Sequence, residues 1–485
     1  MRSALAASSR HRTTAGIGSP VPLERLLGGT DVLRSLGDFG AAAVTSITHD
    51  SRAVTSGALF CCLVGATTDG HDHAPAAVEA GAVALLVERP LAGVDVAQVV
   101  VADARAAMAS VAAAFYGHPS RRLAVAGVTG TNGKTTVTYL LASVLEAAGR
   151  RAAVIGTISG VRTTPEAPEL QARLAALAAD GVNAVAMEVS SHALVQRRVD
   201  ALWFEAVAFT NLSQDHLEYH GTMEGYFTAK ASLFDPARAR VGVVNADDPW
   251  GRRLLESTRL AVRPYSMADA RDLALDRDGS TFTLDGHPVH LRLSGDFNVS
   301  NALAAGALAR ELGVGAADVA AGLGALVAVP GRFERVDGGG PVAVVVDYAH
   351  TPDGLEKVLA SARGLAAGGR VIVVFGAGGD RDHAKRPAMG DVATRLADVA
   401  VLTTDNPRSE DPLAILAEVR GGVSRPEVLV VEPDRRTAIA LALDAARPGD
   451  VVVVAGKGHE TSQVFAGGRS VPFDDRVVAR ELLGT

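Results

Sequence analysis

The sequence predicts an α/β fold with mostly parallel sheets, and three observations carry that expectation. From residue 123 onward, short apolar runs alternate with helix-length patterns, the order that builds a parallel sheet covered on both faces. Within that series the apolar run Leu123 to Val128 leads through a glycine-rich turn into a helical pattern, Val137 to Ala148. The chain has 485 residues, 48% of them hydrophobic, a length of about three domains with apolar residues for several cores.

Taken in order, residues 1–22 are polar and rich in Ser, Ala and Arg, lack the apolar core of a signal peptide, and are expected to form a disordered tail. A small α/β domain is expected over 23–120. In it Val44 to Thr48 and Ala58 to Val64 read as strands, separated by His49-Asp50-Ser51-Arg52. The polar loop Gly65 to His71, a helix from His73 to Ala80 and a buried strand from Val83 to Val87 follow. These loops suit a ligand head group and plain turn chemistry equally. Pro119-Ser120-Arg121-Arg122 reads as a linker.

A central domain is expected over 121–337. Its strands are placed at Leu123–Val128, Ala152–Ile155, Ala184–Val189, Ala206–Thr210 and Gly242–Asn245. Helices are placed at Val137–Ala148, Pro168–Ala179, Met223–Phe234 and Asn298–Leu312, with a short β excursion at Phe282–Leu293. A fresh series over 338–485 reads as a second doubly wound domain. Its strands fall at Val342–Val346, Val371–Phe375, Val399–Thr403, Val428–Val431 and Val451–Ala455, and its helices at Gly354–Ala362, Ala388–Leu396 and Arg435–Ala445. The turn Gly376-Ala377-Gly378-Gly379 matches a dinucleotide fingerprint only loosely.

The turn Gly130-Thr131-Asn132-Gly133-Lys134-Thr135-Thr136 carries the chemistry of a phosphate-binding loop. Gly130 and Gly133 let the backbone approach an anion, and amides at the helix start donate to phosphate oxygens. Lys134 supplies a point charge for the β and γ phosphates, and the Thr135 hydroxyl is placed for Mg²⁺. The loop is a variant, because Val128 stands where the strict pattern asks for its first glycine. A nucleoside triphosphate is the expected ligand.

Ligands of such sheets gather beyond the strands' carboxyl ends, and Thr135, Glu188 and His216 each lie at or after one. A carboxylate inside an apolar strand is costly to bury unless paired, so Glu188 needs either Mg²⁺ or a neighbouring hydroxyl or backbone group. Spacing alone makes Lys230 a surface lysine. An ammonium cannot coordinate a metal, so a role at the site requires pairing with phosphate or conversion to an anion. Three further polar turns, Asp347-Tyr348-Ala349-His350, Asp405 to Glu410 and Gly456 to Glu460, end strands of the last domain and imply one binding face. Arg381, Arg408 and Glu460 offer the two cations and one anion that an amino acid requires.

Composition narrows the partners. A net charge of −7 without a long run of one sign argues against nucleic acid and acidic membranes. The adjacent pair Cys61 and Cys62 fits core thiols of a reducing cytoplasm rather than a disulfide framework. No apolar run reaches the length of a membrane span.

The motifs together resemble the Mur ligases of peptidoglycan synthesis, from Asp50-Ser51-Arg52 to Gly456-Lys457-Gly458-His459-Glu460. Thr163-Thr164-Pro165-Glu166, Glu188 to Leu194, Asn211 to His216 and Pro330-Gly331-Arg332 belong to the same match. The resemblance implies a UDP-binding N-terminal domain, a central ATPase, and a Rossmann-like C-terminal domain that receives an amino acid. It implies that Gly130 to Thr136, Asn301, Arg332, Asp347 and His350 bind ATP, with Lys134, Lys230, His216 and Asp347 as the catalytic group. Mg²⁺ would be held by Thr135 and Glu188, and by His216 with Lys230 in carbamylated form. His49, Ser51, Ala66, Thr67, Thr68, Thr163, Thr164, Ser190, Gln196 and Arg198 would hold UDP-MurNAc-L-Ala-D-Glu. Asp405-Asn406-Pro407-Arg408 matches the members that add meso-diaminopimelate; Arg408 would take its distal carboxylate, with Arg381, Gly456 and Glu460 completing the pocket. A cytoplasmic monomer is implied. The rival readings are a lysine-adding or folylpolyglutamate-type ligase, a non-catalytic nucleotide-binding regulator, and a dehydrogenase built on the last domain.

Overall fold

The computed structural model describes residues 19–65, 67–160, 162–276, 278–336, 340–366 and 368–484. Residues 1–18, most of the expected tail, lie outside them, but Val21–Pro22 pair antiparallel with Ala43–Val44. The boundary expected at residue 22 is corrected accordingly: Leu23 and Leu26 are buried in the first core and draw the residues before them into the domain.

One compact unit comprises the chain up to Pro119 together with Glu166–Ala175 and Arg197–Ala201. Its sheet runs in the order Val32–Leu36, Ala97–Val101, Ala82–Val87, Ala58–Cys61, Ser46–Thr48, antiparallel at the first pair and parallel thereafter. The strand expected from Val44 to Thr48 breaks at Thr45, whose N–H donates to Gly57 O and whose hydroxyl donates to Ser56 O. The helix Ala104–Phe115 starts at the N-cap Asp103 and is largely alanine, so its buried face stands out little in the sequence. Cys61 and Cys62 are buried free thiols whose pKa values burial pushes up.

The other unit holds the rest of the described chain, and two parallel sheets organise it. The first is ordered Val262–Tyr265, Gly242–Asn245, Ala206–Phe209, Ala124–Thr129, Ala184–Glu188, Ala152–Ile155, parallel throughout. After Ala124–Thr129 the chain adds two strands on one side and then three on the other, so the crevice opens at that strand's carboxyl end. Helices Lys134–Ala147, Asp296–Glu311 and Ala316–Ala325 pack with it through Leu140, Val144, Val299, Leu303, Leu308 and Leu323. The β excursion is longer than expected, a three-stranded antiparallel sheet from Arg271 to Leu291. Its first strand, Arg271–Asp276, is mostly exposed, and its apolar stretch Leu273 to Leu275 is too short to reveal it.

The second sheet is ordered Glu334–Arg335, Ala343–Asp347, Val451–Ala455, Val371–Phe375, Val399–Leu402, Leu429–Val431, parallel except for the first pair. Separate apolar clusters cover its two faces, as a doubly wound domain requires. The chain crosses the sheet in one direction from Ala343–Asp347 to Leu429–Val431 and then returns to insert Val451–Ala455 beside Val371–Phe375, so the turns at Gly376 and Gly456 lie on neighbouring strands. Among the described residues no helix is long and apolar enough to cross a membrane.

Candidate active site

The helix Lys134–Ala147 begins at Gly133, which has φ +87°, and its first turn is polar because it forms the wall of a site rather than a core. A side chain at Gly133 would meet Asn301 Oδ1, and one at Gly130 (φ +149°) would meet Thr210 Oγ1, so both positions require glycine. Lys134 Nζ donates to Gly130 O and Thr131 O, each at 2.8 Å. Burial lowers its pKa, with Glu188 opposing that shift.

Glu188 is 1% exposed and fully engaged. Its Oε1 accepts from Thr135 Oγ1 at 3.0 Å and from Thr157 N at 2.9 Å, while Oε2 accepts from Thr157 Oγ1 at 3.0 Å. Arg332 Nη2 donates to Thr135 Oγ1 at 3.0 Å and stacks its guanidinium on Tyr348, 4.5 Å from the ring centroid. The expectation of a surface lysine from spacing alone fails for Lys230, which is 1% exposed on the helix Met223–Ala231. It donates to Gly130 O at 2.8 Å and lies 4.5 Å from the Tyr226 ring centroid. Burial, reinforced by Lys134, holds its pKa well below that of an ordinary lysine.

His216 adopts φ +55° in the loop after Ala206–Phe209, 3.3 Å from Asp215 Oδ2, and burial lowers its pKa against the pull of Asp215. Asp347 is tied by the N–H groups of Phe333 and Ala349, both at 2.7 Å, and burial raises its pKa despite Arg332. Burial, then Lys385, brings His350 down to about 4, so it is a neutral imidazole at pH 7. Asn301 Nδ2 donates to Asn298 Oδ1 at 3.2 Å, which fixes the oxygen over Gly133.

On the last sheet Asp405 and Asn406 are buried, Asp405 Oδ1 accepting the Asn406 N–H at 2.7 Å. Gly456, at φ +116°, lies where a Cβ would meet Asp405 Oδ2. Asn406 Nδ2 donates to Glu460 Oε2 at 2.7 Å. Arg408 has φ +52°, follows Pro407 in the turn, and donates through Nη1 to Gly379 O at 2.6 Å. Arg381 is exposed and donates to Asp380 O.

These two ends form one cleft of about 690 Å³, lined by Thr131 to Thr136, Glu188, His216, Asn301, Arg332, Asp347 and His350 from the first, and by Arg381, Asp405, Asn406, Arg408, Gly456 and Glu460 from the second. Thr163 joins it, its hydroxyl 3.0 Å from Thr157 Oγ1. Thr164 Oγ1 accepts from Ser190 N at 3.1 Å, and Gln196 Nε2 donates to Tyr219 OH at 3.3 Å. In the first unit Arg198 pairs with Glu166 at 2.7 Å, and His49, Ser51, Thr67 and Thr68 lie on its partly exposed or exposed loops; Ala66 lies outside the described residues.

Several residues in or beside the cleft have no role assigned from the sequence. Asp353 Oδ2 accepts from Asn132 Nδ2 and Ser213 Oγ, both at 2.8 Å, and from Lys357 Nζ at 2.9 Å, joining the glycine loop to the helix Pro352–Leu365. Lys385, 7% exposed, lines the cleft with its pKa lowered by burial. Thr157 anchors Glu188, and Lys457 is wholly buried beside Glu460. A charged residue at a helix start or in a turn has no sequence periodicity to mark it; only its burial does.

Three family descriptions match the chain: "Mur ligase family, catalytic domain" over residues 43–116, "Mur ligase middle domain" over 128–309, and "Mur ligase, glutamate ligase domain" over 331–458. The UDP-N-acetylmuramoyl-L-alanyl-D-glutamate–2,6-diaminopimelate ligase of Geobacillus kaustophilus is 46% identical over 468 residues, 91% of this chain and 95% of that one. The chain belongs to the Mur ligase family. The ligase of the same description from Streptomyces avermitilis is also 46% identical, over 96% of this chain and 98% of its own. A solved structure of a UDP-N-acetylmuramoyl-L-alanyl-D-glutamate–2,6-diaminopimelate ligase superposes with a TM-score of 0.67 at 32% identity, covering 96% of this chain and 99% of that one. The chain is therefore an enzyme, and as a Mur ligase it carries its family's three-domain α/β architecture.

Proposed function

We propose that this Mur ligase joins meso-2,6-diaminopimelate to the D-glutamate γ-carboxylate of UDP-MurNAc-L-Ala-D-Glu with hydrolysis of ATP to ADP and phosphate. The observation that carries the reading is the single cleft with a phosphate-binding loop at one end and the Asp405 to Arg408 turn at the other. Relatives described as diaminopimelate ligases, 46% identical along nearly their whole lengths, support the choice of substrates.

In this reading a γ-carboxylate oxygen attacks the γ-phosphorus of ATP, the bond to the bridging oxygen of ADP breaks, and an acyl phosphate results. Lys134 and the loop amides spread the developing charge, since phosphoryl transfer depends mainly on positioning and electrostatics. The neutral amine of diaminopimelate then attacks the acyl carbon, phosphate leaves, and the amide nitrogen gives up its proton. The cleft walls keep water from the acyl phosphate.

The residues present fit Mg²⁺. Thr135 and Glu188 are hard oxygen donors already 3.0 Å apart, and Thr157 holds the carboxylate in place. A second set would be His216 with Lys230, whose buried amine becomes an anion if it takes up CO₂ as a carbamate and releases a proton. Bound Mg²⁺ would supply charge neutralisation at the phosphate oxygens. Glu188→Gln is expected to raise the Mg²⁺ concentration for half-maximal rate by about tenfold or more, read from Mg²⁺ titrations at fixed ATP. Protein equilibrated with ¹³C-bicarbonate is expected to give a carbamate carbon signal by NMR that is missing in Lys230→Arg; the same signal in both would remove Lys230 from the metal set.

ADP release by purified protein with UDP-MurNAc-L-Ala-D-Glu tests the whole reading. Turnover with meso-diaminopimelate and little with L-lysine is expected. Preference for lysine would keep the ligase and overturn the role of Arg408, and no turnover with either would overturn the substrate assignment.

A further inference from the structure

Behind the amino-acid end of the cleft, in contact with its lining residues Asn406 and Glu460, lies a buried lysine that the reaction above does not use. Lys457 is 0% exposed, in the turn after the strand Val451–Ala455. Lysine is almost never so placed unless paired. Its ammonium donates to Ser462 O at 2.6 Å, to Glu460 Oε2 at 3.0 Å and to Asn406 Oδ1 at 3.2 Å. An ammonium has three hydrogens, so these acceptors use all of them and none is left for a ligand. Lys457 therefore acts through Asn406 and Glu460.

An asparagine amide fits its space in two orientations that differ only in which atom is oxygen. At Asn406 the choice is forced. Lys457 Nζ and the Val464 N–H, which donates at 3.0 Å, are both donors, so only the amide oxygen can face them. The amide nitrogen then faces Glu460, giving one hydrogen to Oε2 at 2.7 Å and keeping one spare. On Glu460, Oε2 receives both Lys457 and Asn406, while Oε1 accepts no hydrogen bond among the described residues. A pocket wall results with one unused N–H donor and, beside it, one unused carboxylate oxygen.

We propose that Lys457 is a positioning residue that sets the polarity of the amino-acid pocket, presenting Asn406 as a donor to the ligand's carboxylate and Glu460 as an acceptor for its ammonium. The proposal rests on the amino-acid reading of this end of the cleft. A lysine with no contact to substrate thereby decides which way round a zwitterion binds.

Lys457→Met keeps the length of the side chain and removes the charge. It is expected to raise KM for diaminopimelate by about ten- to a hundredfold, the worth of a charge-assisted hydrogen bond, with KM for ATP and for the nucleotide-peptide little changed. In a Glu460→Gln background the same substitution is expected to add less than about threefold, because the group it acts through is already altered. An unchanged KM for diaminopimelate, or equal rises for all three substrates, would overturn the proposal. If Lys457→Met does not fold, Lys457→Gln, which keeps two N–H donors without the charge, carries the test, and failure of both to fold also overturns it. Wild-type protein inactive with diaminopimelate would sink the amino-acid reading itself, whereas active wild type with an unaffected variant sinks only the role of Lys457.

Discussion

Lys134→Ala is expected to lower ADP release in the presence of all substrates by about 10³-fold or more, the cost of removing a preorganised group that stabilises transition-state charge. The geometry explains why no neighbour substitutes for it. Lys230, the other lysine at the loop, is held by Gly130 O at 2.8 Å and lies over the Tyr226 ring, so it cannot move to the phosphates without leaving its site, and as a carbamate it would be an anion. Arg332 is committed to Thr135 Oγ1 and to the face of Tyr348. The fold should survive, because the loop's shape is set by Gly130, Gly133 and bonds such as Asn132 N to Asn211 Oδ1 at 3.0 Å rather than by the lysine. An unchanged thermal midpoint with lost turnover is the expected pair of measurements. Near-wild-type ADP release that still required every substrate would remove Lys134 from phosphoryl transfer.

What the sequence discloses depends on whether the physics at each position is local. The strands Ala152–Ile155, Gly242–Asn245, Val371–Phe375 and Val451–Ala455 were legible to the residue, because continuous apolar runs bounded by turns have few other solutions. The strand–glycine turn–helix junction at Gly130 to Thr136 was legible for the same reason, since Gly-Lys-Thr between strand and helix is a local arrangement. Arg271–Asp276, mostly exposed and with only Leu273 to Leu275 apolar, carried no such mark. At the site, Glu188 announced itself as an acid in an apolar strand, but its partners Thr135 and Thr157 come from two other segments. Lys230, Lys385 and Lys457 show the limit most clearly. Each is a charge on a helix or turn, with the spacing of a surface residue, and only tertiary packing makes it buried. Asp353 is likewise an ordinary first-turn acid until Asn132 and Ser213 are brought to it.

Arg408→Asn is expected to lower kcat/KM for meso-diaminopimelate by about 10³-fold while leaving the small activity with L-lysine within a few-fold, so that the preference collapses. Asparagine suits the test because residue 408 has φ +52°, a conformation it tolerates better than alanine, and the turn keeps its backbone bond from Arg408 N to Val464 O at 3.0 Å. The size of the effect follows from what the guanidinium lacks. Among the described residues Arg408 has no carboxylate partner, only Gly379 O at 2.6 Å, and it lines a cleft that also holds the cations Arg381 and Lys385. A ligand with a second carboxylate satisfies the planar fork with two parallel bonds. Lysine lacks that carboxylate, which leaves the guanidinium unpaired. Arg408→Lys separates charge from shape: a point charge without the fork should recover only part of the loss. Rates with both amino acids at matched ATP and nucleotide-peptide concentrations decide the matter, and a variant that keeps the wild-type preference would move the recognition of the distal carboxylate away from Arg408.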